Sequence, residues 1–172
     1  AYDQDVIKIA LIGKRNAGKS SMVNAIVGQK RVIVSEKPGT TRDAVDILVE
    51  KDGRRFVVID TAGLRRKGKM DDSIEFFGQV RSERAIERAD VVALLIDASE
   101  PVSKVDQRIG SLIAEAYKPC IIVINKWDLA QAANPNLTAE SYHEYLCDQL
   151  PGLNFAPLVL TSAKTGMGVE HI

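Results

Sequence analysis

Only two cysteines occur among the 172 residues, Cys120 and Cys147, and no CxxC spacing joins them. A disulfide framework or a thiolate metal site is therefore not expected, and both read as free thiols. No sign of charge dominates: Lys plus Arg and Asp plus Glu each total 23, a formal net charge of zero. A neutral domain has no global attraction for DNA or an anionic membrane, and RNA would have to be met by a local patch or by other segments. No apolar run approaches the roughly 18–20 residues that span a bilayer, and no signal-peptide pattern opens the chain. The cytoplasm is the compartment expected. Internal repeats and low-complexity stretches are missing as well. What remains is ordinary globular material, 45% hydrophobic and 27% charged, enough for one domain with a single sizeable core.

Short apolar runs alternate with helix-like segments, which predicts a three-layer α/β fold with a mostly parallel sheet between helices. Val6 to Ile12 reads as a buried strand leading into a glycine-bearing loop, 13–20, and a helix to about Val27. Ala44–Val49 and Phe56–Ile59 flank Asp52-Gly53, a hairpin signal that places one antiparallel pair in the parallel design. Residues 74–88 have helical spacing. Val91–Ile96 and Cys120–Ile124 are near-continuous apolar runs, as expected of strands covered on both faces. Helices are expected over about 105–117 and 138–150, and a last short strand over Leu158–Leu160. After it Thr165-Gly166-Met167-Gly168 precedes what reads as the start of a further helix.

Four loops carry chemistry. Gly13-Lys14-Arg15-Asn16-Ala17-Gly18-Lys19-Ser20 satisfies the phosphate-loop pattern, with the strand before and helix after that the pattern requires. Backbone N–H groups of Asn16, Ala17, Gly18, Lys19, Ser20 and Ser21 converge on phosphate in such a loop, helped by the helix N-terminus. Lys19 would neutralise the β- and γ-phosphates, and the Ser20 hydroxyl would ligate Mg²⁺. Asp60-Thr61-Ala62-Gly63 follows an apolar strand; its carboxylate suits Mg²⁺ held through water, and the Gly63 N–H suits the γ-phosphate. Asn125-Lys126-Trp127-Asp128 follows the next apolar run. A carboxylate at Asp128 accepts two hydrogen bonds from N1–H and the amine of guanine, whereas adenine offers a lone pair at that edge. The Lys126 stem would lie over the base, and Asn125 would tie this loop to the phosphate loop. Ser162-Ala163-Lys164, after the last strand, would present a backbone N–H to the guanine carbonyl. The histidines, His143 and His171, read as surface residues, and Trp127 as packing.

Together these residues resemble the GTPase superclass that includes Ras and the translation factors. The resemblance covers nearly the whole chain and implies a six-stranded sheet with one antiparallel edge strand. It also identifies Pro38-Gly39-Thr40-Thr41-Arg42-Asp43 as the first switch, with Thr41, or less readily Thr40, entering the Mg²⁺ shell when GTP is bound. Pro-Gly-Thr-Thr-Arg-Asp is shared by a bacterial group containing Era, the tRNA-modification GTPase MnmE and the Der (EngA) family. The stretches 28–34, 60–69 and 82–90, with Asn-Lys-Trp-Asp, look most like the second GTPase domain of the Der family. That likeness implies tandem GTPase domains followed by a KH-like domain, and a role in assembling the large ribosomal subunit. It implies contact with that subunit or its rRNA and with other domains of a longer protein. Residues 1–5 would then be a linker remnant, and 6–172 a GTPase domain lacking most of its last helix.

Two positions bear on turnover. Leu64 stands where Ras-like enzymes place a water-orienting glutamine, and an apolar side chain cannot take that task. Asn16 matches the phosphate-loop position that related potassium-activated GTPases use as a K⁺ ligand. Backbone carbonyls from about Val34 to Gly39 would complete that site, and the cation would substitute for an arginine finger. The expected activity is slow Mg²⁺-dependent conversion of GTP to GDP and phosphate, stimulated by K⁺, with Lys19, Thr41, Gly63 and Asn16 as the catalytic set. Two alternatives stand beside it: the GTPase module of a tRNA-modification enzyme, and a nucleotide-sensing module with negligible turnover. Arg15 reads as solvated. The basic run Arg65, Arg66, Lys67 and Lys69 is either a solvated loop or a gated surface for rRNA or another domain.

Overall fold

Apolar residues facing both ways along a strand demand cover on both sides, and the computed structural model supplies it. The structure describes residues 6–29, 32–38, 45–61 and 74–172. Strand β1 (Ile7–Gly13) runs into helix α1 (Lys19–Val27), and β2 (Val32–Pro38), β3 (Val45–Lys51) and β4 (Arg54–Ile59) follow. Helix α2 (Ile74–Arg88), β5 (Val91–Asp97), α3 (Lys104–Glu115) and β6 (Cys120–Asn125) continue the alternation. The short α4 (Trp127–Ala133), α5 (Ala139–Gln149) and β7 (Leu158–Leu160) complete the main elements.

The sheet order is β2-β3-β4-β1-β5-β6-β7. Pairing is parallel from β4 through β7, while β3 runs against both β2 and β4. The fold is the three-layer α/β architecture expected, with seven strands where six were anticipated. The antiparallel strand β3 lies one place in from the edge, because β2 pairs along its outer side from Val32↔Lys51 to Pro38↔Val45. The β-branched run Val32-Ile33-Val34 favours that strand, and Pro38 is tolerated where the edge leaves an N–H without a ladder partner. The β3–β4 turn is the predicted one: Asp52 and Gly53 both have positive φ, 51° and 76°, as a two-residue hairpin turn matching strand twist requires.

Alternation divides the core in two. Ala10, Ile12, Leu94, Ile96, Ile122 and Ile124 face the side covered by α2, α3 and α5, through residues such as Ile86, Ile113 and Leu146. Ala93, Leu95 and Val123 face the opposite side with Met22, Val23 and Ile26 of α1. Both α3 and α5 begin with reciprocal caps, Ser103 with Asp106 and Thr138 with Ser141, which satisfy otherwise orphaned N–H groups. Cys120 is buried in β6 and Cys147 half-buried on α5; burial pushes the Cys120 thiol up to about 11. No described helix is long and apolar enough to cross a membrane. The parallel strands end together, so the loops after β1, β4, β5, β6 and β7 gather at one edge of the sheet, where open α/β sheets place ligands.

Candidate nucleotide-binding site

The phosphate loop leaves β1 and enters α1 through two residues with positive φ, Asn16 at 65° and Gly18 at 98°. Glycine is required at the second: a Cβ there would collide with the side-chain amide of Asn125. Lys19 donates to the Gly13 carbonyl at 2.6 Å. Burial lowers its pKa, and its hydrogen-bond partner is a carbonyl, not a carboxylate. An ammonium so placed is a seat for an anion. Lys14 differs. Its Nζ lies 3.2 Å from Glu100 and 3.4 Å from Asp106. Burial opposes that charge, but the two carboxylates outweigh it and raise the pKa. Lys14 therefore clamps the loop to α3 and is committed away from the phosphates. Arg15 is exposed, as expected, and Asn16 is exposed at the loop's tip.

Asn125, 2% exposed at the end of β6, joins three loops. Its Nδ2 donates to the Ala17 carbonyl at 3.0 Å, and its Oδ1 accepts from the Ala163 N–H at 3.0 Å. The expected tie to the phosphate loop is thus present, with a second tie to the loop after β7. Lys126 has a left-handed backbone, φ 59°, and its Nζ donates to Asp97 Oδ2 at 2.8 Å and to the Asn16 carbonyl at 3.0 Å. Burial works against ionisation of Asp97, but hydrogen bonds from Lys126 and Ser99 prevail and hold its carboxyl below the usual range. The Lys126 stem is thereby stretched across the cleft as a platform. Asp128 lies in the first turn of α4, half-buried, its carboxylate without a partner among the described residues. Trp127 packs edge-on against Tyr142, ring centroids 5.5 Å apart, which is the packing role expected.

Between these loops lies a cavity of about 480 Å³, bordered by Gly18, Asn125, Lys126, Asp128, Ser162 and Ala163 among others. Ser162, Ala163 and Lys164 do reach it, but not with three free donors. The Ser162 N–H goes to the Met167 carbonyl at 2.9 Å, and that of Ala163 goes to Asn125. Lys164 carries the remaining N–H of the tripeptide.

The metal-side residues come from two elements. Ser20 is the second residue of α1, and Asp60 follows β4 with a left-handed φ of 56°. A hydroxyl and a carboxylate are hard oxygen donors that suit Mg²⁺. Here the Asp60 carboxylate accepts from Arg81 Nε of α2, at 3.1 and 3.3 Å. A metal ion on that side would compete with the arginine for the same charge. Thr41, Thr40, Gly63, Leu64 and the basic run 65–69 lie outside the described residues. Sequence reasoning did not single out Asp46, Asp97, Arg81 or Arg88. The available signals were a carboxylate at an inward strand position, Asp46, and one closing a parallel strand, Asp97.

A phosphate loop, an Asp-x-x-Gly strand end and an Asn-Lys-x-Asp loop at one edge of this sheet define the class of P-loop GTPases. The chain belongs to the 50S ribosome-binding GTPase family, whose sequence profile matches residues 8–126. It is 49% identical over 170 residues to GTPase Der of Fusobacterium nucleatum, covering 99% of this chain and 38% of that protein. With GTPase Der of Sulfurihydrogenibium it shares 48% over 169 residues, 98% of this chain and 37% of that one. The chain thus spans well under half the length of these relatives. Among solved structures it is similar to Era in complex with MgGDPNP and nucleotides 1506–1542 of 16S ribosomal RNA. That match has a TM-score of 0.69 and 29% identity, covering 98% of this chain and 55% of the other.

Proposed function

We propose that this chain is a GTP-binding, GTP-hydrolysing switch domain that acts, as part of a longer protein, in assembly of the large ribosomal subunit. The observation that carries the reading is the three-loop junction at Asn125, which holds the phosphate loop and the base loop around one cavity. Guanine recognition falls to the unpaired Asp128 carboxylate, with the Lys126 stem beneath the base and the Lys164 N–H toward the guanine carbonyl. Adenine would face that carboxylate with a lone pair, and an unpaired buried acceptor is costly. Phosphate binding falls to the N–H groups of residues 16–21 and to Lys19, which exchanges its carbonyl partner for phosphate oxygens. Ser20, Asp60 and Thr41 would hold Mg²⁺, which when bound offsets negative charge on the β- and γ-phosphates. The Gly63 N–H would meet the γ-phosphate.

Turnover is slow in this reading, because Leu64 cannot orient water, and K⁺ stimulates it. Asn16, exposed at the loop tip, is the side-chain ligand proposed for that cation. Backbone carbonyls from about Val34 to Gly39 would complete that site. The ribosomal role rests on the family and on the similarity to Der proteins.

Single-turnover GTP hydrolysis in K⁺ against Na⁺ at matched ionic strength tests the proposal. A K⁺ advantage that disappears in Asn16→Ala is the expected result. Equal rates in both salts, with GTP still bound, would remove the cation from the mechanism.

A further inference from the structure

Asp60 is held by more than its own strand. Its backbone lies in the left-handed region, φ 56°, which residues with side chains rarely adopt unless neighbours secure it. The securing group is Asp46, the second residue of β3, with no exposed surface. Asp46 Oδ1 accepts the Asp60 N–H at 3.0 Å, and Oδ2 accepts from Arg88 Nη2 at 3.1 Å. Arg88 closes α2, seven residues after Arg81, so both arginines lie on one face of that helix. One face of α2 therefore grips Asp60 twice: at its carboxylate through Arg81, and at its backbone through Arg88 and Asp46.

We propose that Asp46 is a positioning residue for the magnesium-side carboxylate of Asp60, and that its pairing with Arg88 couples the orientation of Asp60 to helix α2. The proposal rests on the assignment of Asp60 to the Mg²⁺ shell. A buried ion pair serving stability alone needs only a carboxylate facing an arginine. Here the two oxygens are divided between the helix and the one backbone N–H that must turn for Asp60 to aim. Asp46 is also near the start of the strand that follows residues 39–44, the segment bearing Thr40 and Thr41. A single carboxylate thus stands where strand β3, the Asp60 turn and the α2 helix come together.

The test is the ratio of GDP affinity in Mg²⁺ to that in EDTA, measured by titration calorimetry on the 172-residue chain. Asp46→Ala is expected to shrink the ratio about tenfold, the worth of one buried hydrogen bond to a charged group, while affinity in EDTA stays within about threefold. Asp46→Asn combined with Arg88→Gln keeps an oxygen for the Asp60 N–H and ties the Asn amide nitrogen to the Gln oxygen, an uncharged bond to the helix of reversed direction, and is expected to recover the ratio. Equal losses in Mg²⁺ and EDTA would mean a purely structural role and overturn the proposal. If Asp46→Ala does not fold, Arg88→Met at the part-exposed helix end decides: a reduced ratio supports the proposal, and a wild-type ratio overturns it. Asp60→Ala separates the two levels. If it keeps the full Mg²⁺ effect, the Asp60 assignment fails and the proposal with it. If it loses the effect while Asp46→Ala keeps it, only the proposal fails.

Discussion

The side-chain amide of Asn125 donates to the main-chain carbonyl of Ala17 at 3.0 Å, across 108 residues of sequence. Because its oxygen also takes the Ala163 N–H, one buried side chain fixes three loops that otherwise meet only at the sheet edge. Asn125→Ala leaves a buried carbonyl and a part-buried N–H without partners. A loss of about 1–3 kcal/mol of stability is expected, read by denaturant unfolding. Nucleotide affinity should fall alongside it, because the phosphate loop loses its brace. A variant of unchanged stability and affinity would mean the junction is incidental.

Asp128 offers a narrower test. Asp128→Ala should weaken GTP and GDP binding by about 1–3 kcal/mol, the worth of a bidentate base contact, and leave ATP binding where it was. Competition of GTP against ATP for a fluorescent nucleotide measures the discrimination directly. If the variant still prefers guanine as strongly as the parent, base recognition lies elsewhere.

The depressed pKa of Lys19 gives a signed dependence on pH. Burial lowers it, and phosphate oxygens bound beside it would restore it. Between the lowered value and the ordinary value of 10.5, the unfolded chain and the complex would carry more protons at this group than the free native chain. Over that window nucleotide binding should take up a fraction of a proton and weaken as pH rises. The native chain's stability from this group should increase with pH over the same window. Calorimetry in two buffers of different ionisation enthalpy, at about pH 9.5 and about pH 7, checks the uptake. Proton release in its place would contradict the assignment of Lys19.

A metal ion at Asp60 would have to compete with Arg81. The pair is part-exposed, so its worth is of order 0–1 kcal/mol. Arg81→Ala should therefore lower the Mg²⁺ concentration that half-saturates nucleotide retention, by up to about fivefold. A higher requirement would show that Arg81 assists the metal site instead.

Much of this molecule was legible along the chain because the responsible physics is local. The phosphate loop, the Asp52-Gly53 turn and the strand over Leu158–Leu160 depend on neighbouring residues, and each stands where the pattern places it. Strand β2 was harder, since Val32–Pro38 is apolar at one end only and has just one strand to pair with. Helix α4 hid inside the base loop because its seven residues are too few for a periodicity to show.

By itself the sequence determined the chemistry available: which residue types follow each strand, and hence a guanine-nucleotide site at the sheet's loop edge. The tertiary structure alone decided which charges are spent on one another. Lys126 with Asp97 spans 29 residues, Asp60 with Asp46 spans 14, and Arg88 with Asp46 spans 42. No local spacing encodes such pairs, because they form only when the order β3-β4-β1-β5-β6 sets distant strand ends side by side. Lys14 and Lys19 show the consequence. Five residues apart in one loop, they differ because the sheet carries Lys14 to the carboxylates of Glu100 and Asp106 and leaves Lys19 a carbonyl.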